Sequence, residues 1–190
     1  MASELSTTTS QRMGIWVIAV VMIIGTLGSF FLFMLPAANT PVKSQAEIDY
    51  EKQVADAQKA AEERKAKLRP LDGYSASAFD AAGVTELRVE ELVPGTGKEL
   101  AGNSTINANY FGWTSDGKIF DSTNVDGTTT PIEFPLNGVI EGWTKGLTGQ
   151  KEGAIVKLTI PTAQAYGENA AQLGRPAGPL AFIVEVKTVK

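Results

Sequence analysis

The sequence predicts an α+β protein in which one antiparallel sheet is covered by a single short helix, preceded by an apolar membrane-spanning helix and a helical stalk. Three observations carry that prediction. A charge-free apolar stretch runs from Met13 to Leu35, an Ala/Glu/Lys/Gln-rich segment follows between Ser44 and Arg69, and from Val84 onward apolar residues recur at period two between turn residues. The last pattern is that of half-buried strands. With 190 residues in all, the material left after the apolar stretch suffices for one modest domain. The expected organisation is a tail over 1–12, an anchor over 13–35, a stalk and linker over 36–83 and a domain over 84–190.

Composition removes much chemistry at the outset. The formal net charge of -4 is spread without a basic cluster, so nothing resembles the electrostatic footprint of a nucleic-acid-binding protein. Cysteine and histidine are both absent, which excludes a disulfide framework, a thiol nucleophile, a Ser-His pair and a Cys/His metal site.

The stretch from Met13 to Leu35 is long enough to cross a bilayer, whose hydrocarbon core takes about 20 apolar residues. A cleaved signal peptide, with Pro36-Ala37-Ala38 as its processing site, is the rival reading, although signal cores run only about 7–15 residues. Arg12 directly before the span and Lys43 beyond it favour a cytoplasmic N-terminus by the positive-inside rule. The expectation is a single-pass protein of the cell membrane with its C-terminal domain outside the cytoplasm.

Between Ser44 and Arg69 the composition predicts one helix. Ser44 and Glu47 have capping-box spacing, and Pro70 supplies a stop. Val54, Ala57, Ala61 and Leu68 form a thin apolar seam that Arg64 interrupts, so a solvated spacer and a weakly specified coiled coil both fit. Residues 72–83 read as linker, with Tyr74 and Phe79 packing onto the domain.

Within the domain, Ile106, Ala108 and Tyr110 share one strand face, and Trp113 has the opposite parity, reading as a surface or linker-packing residue. Asp116-Gly117 predicts a tight hairpin into Ile119 and Phe120. Val156, Leu158 and Ile160 share a face, as do Leu180, Phe182, Val184 and Val186. Only Val139 to Leu147 has helical spacing, with Val139, Ile140, Trp143 and Leu147 on one side. This helix is the candidate cover for the apolar face of the sheet.

The order of motifs is specific where each alone is weak: Pro94-Gly95-Thr96-Gly97, Tyr110-Phe111-Gly112, Asp116-Gly117-Lys118-Ile119-Phe120-Asp121-Ser122, Val139-Ile140-Glu141-Gly142-Trp143 and Ala165-Tyr166-Gly167, closed by Leu180 to Val186. From Val89 to Lys190 this series resembles the FKBP-type peptidyl-prolyl cis-trans isomerases, membrane-anchored bacterial members among them. The resemblance implies a half-barrel sheet around a short helix, with an apolar pocket between them. Trp143 would form its floor, Tyr110, Phe120, Phe182 and Ile132 its walls, and Val139 and Ile140 its entrance. The backbone N–H at Ile140 and the Tyr166 hydroxyl would donate to ligand carbonyls, and Asp121 would be the pocket carboxylate. The implied partners are proline-containing polypeptides and the family's macrolide inhibitors.

That activity suits this composition. Rotation about an X-Pro bond meets a barrier of about 18–20 kcal/mol set by amide resonance, with no bond to break. Neither a cofactor nor a titrating group is required. A twisted amide carries less charge on its oxygen than a planar one, so an apolar pocket favours it, while donors to neighbouring carbonyls hold the segment. Isolated inward aromatics are more often plain core; here the family order and the adjacent Asp121 favour a pocket. Two segments depart from the resemblance. Leu173-Gly174-Arg175-Pro176 stands where an Ile-Pro-Pro stretch commonly overhangs the pocket, with Leu173 as the apolar substitute. The loop 124–130 is longer than usual and lacks the arginine that often pairs with the pocket aspartate. Rival functions are a non-catalytic chaperone for proline segments and an inert head on a membrane scaffold.

Overall fold

The computed structural model describes residues 44–190, so the apolar stretch 13–35 lies outside the described residues. Among the described residues no helix is long and apolar enough to cross a membrane. The described residues divide into two compact units: 44–63 with Gln172–Gly174, and Arg64–Ala171 with Arg175–Lys190.

Helix α1 spans Gln45–Ala66, about 33 Å at 1.5 Å per residue. Its start is the capping box read from the sequence. The Glu47 carboxylate accepts from the Ser44 N–H at 2.8 Å and from its hydroxyl at 2.9 Å, and the Glu47 N–H donates back to Ser44 Oγ at 3.3 Å. None of its residues is buried. The helix stops short of the expected Arg69, because Leu68 is drawn out of helical register into a strand. The Lys67 N–H donates to the Arg64 carbonyl at 3.0 Å, tightening the last turn. Strand β1 (Leu68–Arg69) then pairs antiparallel with β5 (Asn124–Val125), and Leu68 is buried. Strand β6 (Thr128–Thr129) completes this three-stranded sheet.

The main sheet contains β2 (Arg88–Val93), β3 (Thr105–Thr114), β4 (Ile119–Ser122), β7 (Ile132–Pro135), β8 (Ile155–Ile160) and β9 (Leu180–Val189), all paired antiparallel in the order β2-β8-β9-β3-β4. Strand β7 pairs with the first part of β3 and β4 with its last part. Period two holds as expected. Ile106, Ala108, Val156, Leu158, Ile160, Leu180, Phe182, Val184 and Val186 are all buried on one face, together with Trp143 and Leu147 of helix α2 (Glu141–Leu147). Glycines let α2 lie close to the sheet: a Cβ at Gly142 would stand 2.4 Å from Ile160, and one at Gly146 2.6 Å from Leu158. The helix is shorter than the Val139–Leu147 expected from the sequence, since Ile140 is already the extended N-cap (φ -61, ψ 147).

The opposite face is also covered. Phe111, Trp113, Ala181 and Ile183 are buried with Leu71, and Tyr74 and Phe79 pack against them. Trp113 is therefore a linker-packing residue and not a surface one: it is 2% exposed, stacks on Phe111 at 5.1 Å, and donates from Nε1 to the Ser77 carbonyl at 2.9 Å. Of the three Asp-Gly pairs, the two that join strands make turns of different kinds. At Asp116-Gly117 only the glycine is left-handed (φ 83). The Thr114 N–H reaches the Lys118 carbonyl at 3.0 Å, so the expected tight hairpin is a three-residue loop. At Asp126-Gly127 both residues are left-handed (φ 56 and 83), and Val125 pairs with Thr128. This is the two-residue type I′ geometry.

Candidate active site

A β-bulge builds the site from consecutive residues. Gly112 pairs with Asp121 and Trp113 with Ile119, so Phe120 is the extra residue on β4. A bulge breaks strict alternation and re-aims side chains. Phe120 packs against the buried cluster that holds Trp143 and Phe182, while its neighbour Asp121 reaches Tyr110 on β3.

Trp143, the expected floor, lies in the first turn of α2 and is 5% exposed. Tyr110 meets its indole edge-on at 5.1 Å (87°) and Phe182 at 5.3 Å (89°), and Phe120 meets Phe182 edge-on at 5.6 Å. Such geometry aligns the positive ring edge with the negative face of its neighbour. Gly112 makes room for it: a Cβ there would lie 2.5 Å from the Phe182 ring and 2.8 Å from Phe120. The Trp143 indole N–H is buried and has no acceptor. At the rim, the carbonyl of the N-cap Ile140 accepts from the N–H groups of Trp143 (2.9 Å) and Thr144 (3.3 Å). Its own N–H precedes the first turn, where no intrahelical acceptor exists.

Asp121 is the polar centre. Its Oδ2 accepts from the Tyr110 hydroxyl at 2.5 Å, and its Oδ1 accepts from the Ser122 N–H at 2.9 Å and from Arg64 Nη1 at 3.3 Å. Loop 124–130 has no arginine, as noted from the sequence, but Asp121 does not lack a cation: helix α1 supplies it 57 residues away. Next to this centre lies a cavity of about 250 Å³ lined by Arg64, Tyr110, Thr123, Val125, Thr130 and Ile132.

Burial, and then the adjacent Asp121 carboxylate with its hydrogen bond, hold the Tyr110 hydroxyl well above its ordinary range. Burial and Asp121 also raise Tyr166, against an opposing pull from Arg175, whose guanidinium sits 5.1 Å over the Tyr166 ring. Both phenols therefore remain neutral hydrogen-bond donors throughout the physiological range. The arrangement offers an apolar, aromatic surface with neutral donors at its edge. It suits binding and orienting a segment rather than proton transfer or nucleophilic attack.

Of the residues singled out from the sequence, Tyr110, Phe120, Val139, Ile140, Trp143, Tyr166 and Phe182 belong to one packed cluster, and Asp121 is tied to it through Tyr110. Ile132 lines the neighbouring cavity and is 43% exposed. Leu173, in the single turn Ala171–Leu173, is 57% exposed. Sequence reasoning missed Phe134, whose ring lies 5.3 Å from Trp143 at 57°. It alternates with Ile132 on β7, a signal too short to read between Pro131 and Pro135. It also missed Arg64, which registers in the sequence only as an interruption of the helix seam.

Comparison with known proteins bears on the same region. Residues 97–187 match the family model described as FKBP-type peptidyl-prolyl cis-trans isomerase. The FKBP-type peptidyl-prolyl cis-trans isomerase FkpA of Escherichia coli (strain K12) is 35% identical over 156 residues, covering 82% of this chain and 55% of that protein. The chain thus spans little more than half the length of that relative. An FK506-binding protein of Neisseria meningitidis serogroup B is 38% identical over 104 residues, covering 54% of this chain and 95% of that protein. The crystal structure of FkpA from Escherichia coli aligns with a TM-score of 0.51 at 29% identity, over 100% of this chain and 75% of that one.

Proposed function

The chain belongs to the FKBP-type peptidyl-prolyl cis-trans isomerase family, and from that premise we propose that it accelerates X-Pro bond rotation in polypeptides by holding the twisted amide in the bowl on Trp143. The observation that carries this reading is the ring of aromatic edges around one buried indole, with neutral tyrosines at its rim. A prolyl ring displaces water from such a surface. The twisted amide, having lost resonance and with it part of the charge on its oxygen, loses less on leaving water than the planar form does. The bowl therefore favours the transition state over the ground state, the condition for catalysis by differential binding. Tyr166 and the Ile140 N–H are assigned to the neighbouring carbonyls, fixing the chain on either side of the rotating bond. Tyr110 and Asp121 are assigned to the wall, where their mutual hydrogen bond holds the ring in place. Macrolides of the FK506 type, which the Neisseria relative is named for binding, are assigned to the same bowl.

A protease-coupled assay on a short X-Pro peptide tests this reading. The intact chain accelerates cis-to-trans conversion, and Tyr166→Phe and Asp121→Ala each reduce kcat/KM. No acceleration by the intact chain would refute the isomerase assignment.

We assign the charge-free stretch 13–35 to a single membrane span and the isomerase domain to the extracytoplasmic side, with exported proteins as substrates. Support comes from the length of the stretch and from Arg12 at its start. Protease added to intact cells should cleave the segment after residue 43; protection of that segment would place the domain inside.

A further inference from the structure

The residues that match the family begin at position 97, yet the cation on the pocket aspartate comes from Arg64. Its guanidinium bridges two backbone-adjacent groups, with Nη1 on Asp121 Oδ1 and Nη2 on the Ser122 carbonyl, each at 3.3 Å. A planar fork on two acceptors fixes orientation as well as charge. The segment that delivers it is itself fastened beside the site. The Asp126 N–H donates to the Lys67 carbonyl at 2.9 Å, the Ser122 hydroxyl to the Arg69 carbonyl at 2.6 Å, and the Asn124 side-chain amide to the Pro70 carbonyl at 2.8 Å. With Leu68 and Leu71 buried beneath, residues 64–71 form a strap along residues 122–126.

We propose that Arg64 is a positioning residue of the isomerase site, a cation that the end of helix α1 delivers to Asp121 and that holds, through Asp121, the Tyr110 ring against Trp143. The proposal rests on the isomerase reading of the bowl. It makes the strap 64–71 part of the working site, although that strap lies outside the family-matched residues. Asp121 Oδ2 is committed to Tyr110, so the orientation of the carboxylate is set by what grips Oδ1, and the guanidinium is the charged group found there. The direction in which Arg64 acts on the Tyr110 hydroxyl, against burial and Asp121, agrees with its closeness. Its side chain is 50% exposed, so its loss leaves folding stability nearly unchanged, as is usual for exposed pairs. Its effect should appear in catalysis instead.

The test uses the full chain carrying Arg64→Ala, Arg64→Gln or Arg64→Lys, each also combined with Asp121→Ala, in the X-Pro peptide assay and in thermal unfolding. Arg64→Ala and Arg64→Gln should lower kcat/KM by roughly tenfold, mainly through kcat. Arg64→Lys should restore part of the loss, and the unfolding midpoint should barely move. In the Asp121→Ala background none of the three should have a further effect. Wild-type acceleration with an unchanged Arg64→Gln variant would overturn the proposal while leaving the isomerase reading intact. A loss of equal size in the Asp121→Ala background would overturn the route through Asp121. Absence of acceleration by the wild type would instead refute the reading on which the proposal rests.

Discussion

Replacing Gly112 with alanine adds one methyl group at the most crowded point of the site. The new Cβ would lie 2.5 and 2.6 Å from two ring carbons of Phe182 and 2.8 Å from Phe120 Cζ. Comfortable carbon–carbon contact is about 3.5–4.0 Å, so the rings must retreat by about 1 Å. They have little room to do so. Phe182 is 3% exposed and lies edge-on against Trp143, and Phe120 lies edge-on against Phe182. Gly112 does not have a left-handed backbone, so no conformational strain adds to the steric term. Overpacking of this kind costs about 1–3 kcal/mol. With a urea m-value of about 1–3 kcal/mol/M, the unfolding midpoint should fall by on the order of 1 M. Displacing two pocket walls by this distance should also reduce kcat/KM on an X-Pro peptide, by on the order of tenfold or more. An unchanged midpoint together with unchanged activity would show that the rings are not packed over Gly112, and the bowl as described would be wrong.

Two further predictions address other parts of the fold. Because the folded Tyr110 and Tyr166 hydroxyls titrate above the unfolded phenol value of about 10, the unfolded chain loses those protons first as pH rises. Their stabilisation is thus complete below that value and is lost above it. Urea midpoints should hold up to about pH 9 and fall as pH rises through about 10 and beyond, and the fall should be smaller in Tyr110→Phe; an equal fall in both would remove Tyr110 as the cause. Trp113→Phe deletes the donor to the Ser77 carbonyl on the face away from the bowl and should cost about 1–3 kcal/mol in unfolding experiments. Its peptide isomerisation rate below the unfolding transition should match wild type, and a large loss of rate would couple the two faces of the sheet.

What the sequence disclosed depended on the range over which each signal acts. Ile106, Ala108, Leu158, Phe182 and Val184 declare their face by period two, which any burying strand imposes locally. The covering helix followed from the spacing of Trp143 and Leu147, and the clustering of Tyr110, Phe120 and Phe182 around Trp143 followed because they sit on those same elements. Features made by pairing distant segments were not legible. The bulge at Phe120 carries no glycine to announce it and exists only in the register of β3 against β4. Leu68–Arg69 is too short to break a helical pattern on its own and becomes a strand only because Val125 and Asn124 lie beside it. Arg64 looked like a flaw in an apolar seam, since nothing within 57 residues reveals its acidic partner. The opposite face was read in part: the parity of Trp113 was visible, whereas its near-complete burial required the folded-back linker.

The central claim is that the bowl on Trp143 catalyses rotation rather than merely binding proline. Its most direct test is the cis–trans exchange rate of a short X-Pro peptide measured by exchange NMR at substoichiometric concentrations of the full chain. Uncatalysed exchange takes tens to hundreds of seconds. The account predicts a rate that rises in proportion to wild-type protein and falls back toward the uncatalysed value when Trp143 is replaced by alanine. Peptide resonances that shift on binding while the exchange rate stays at its uncatalysed value would contradict it.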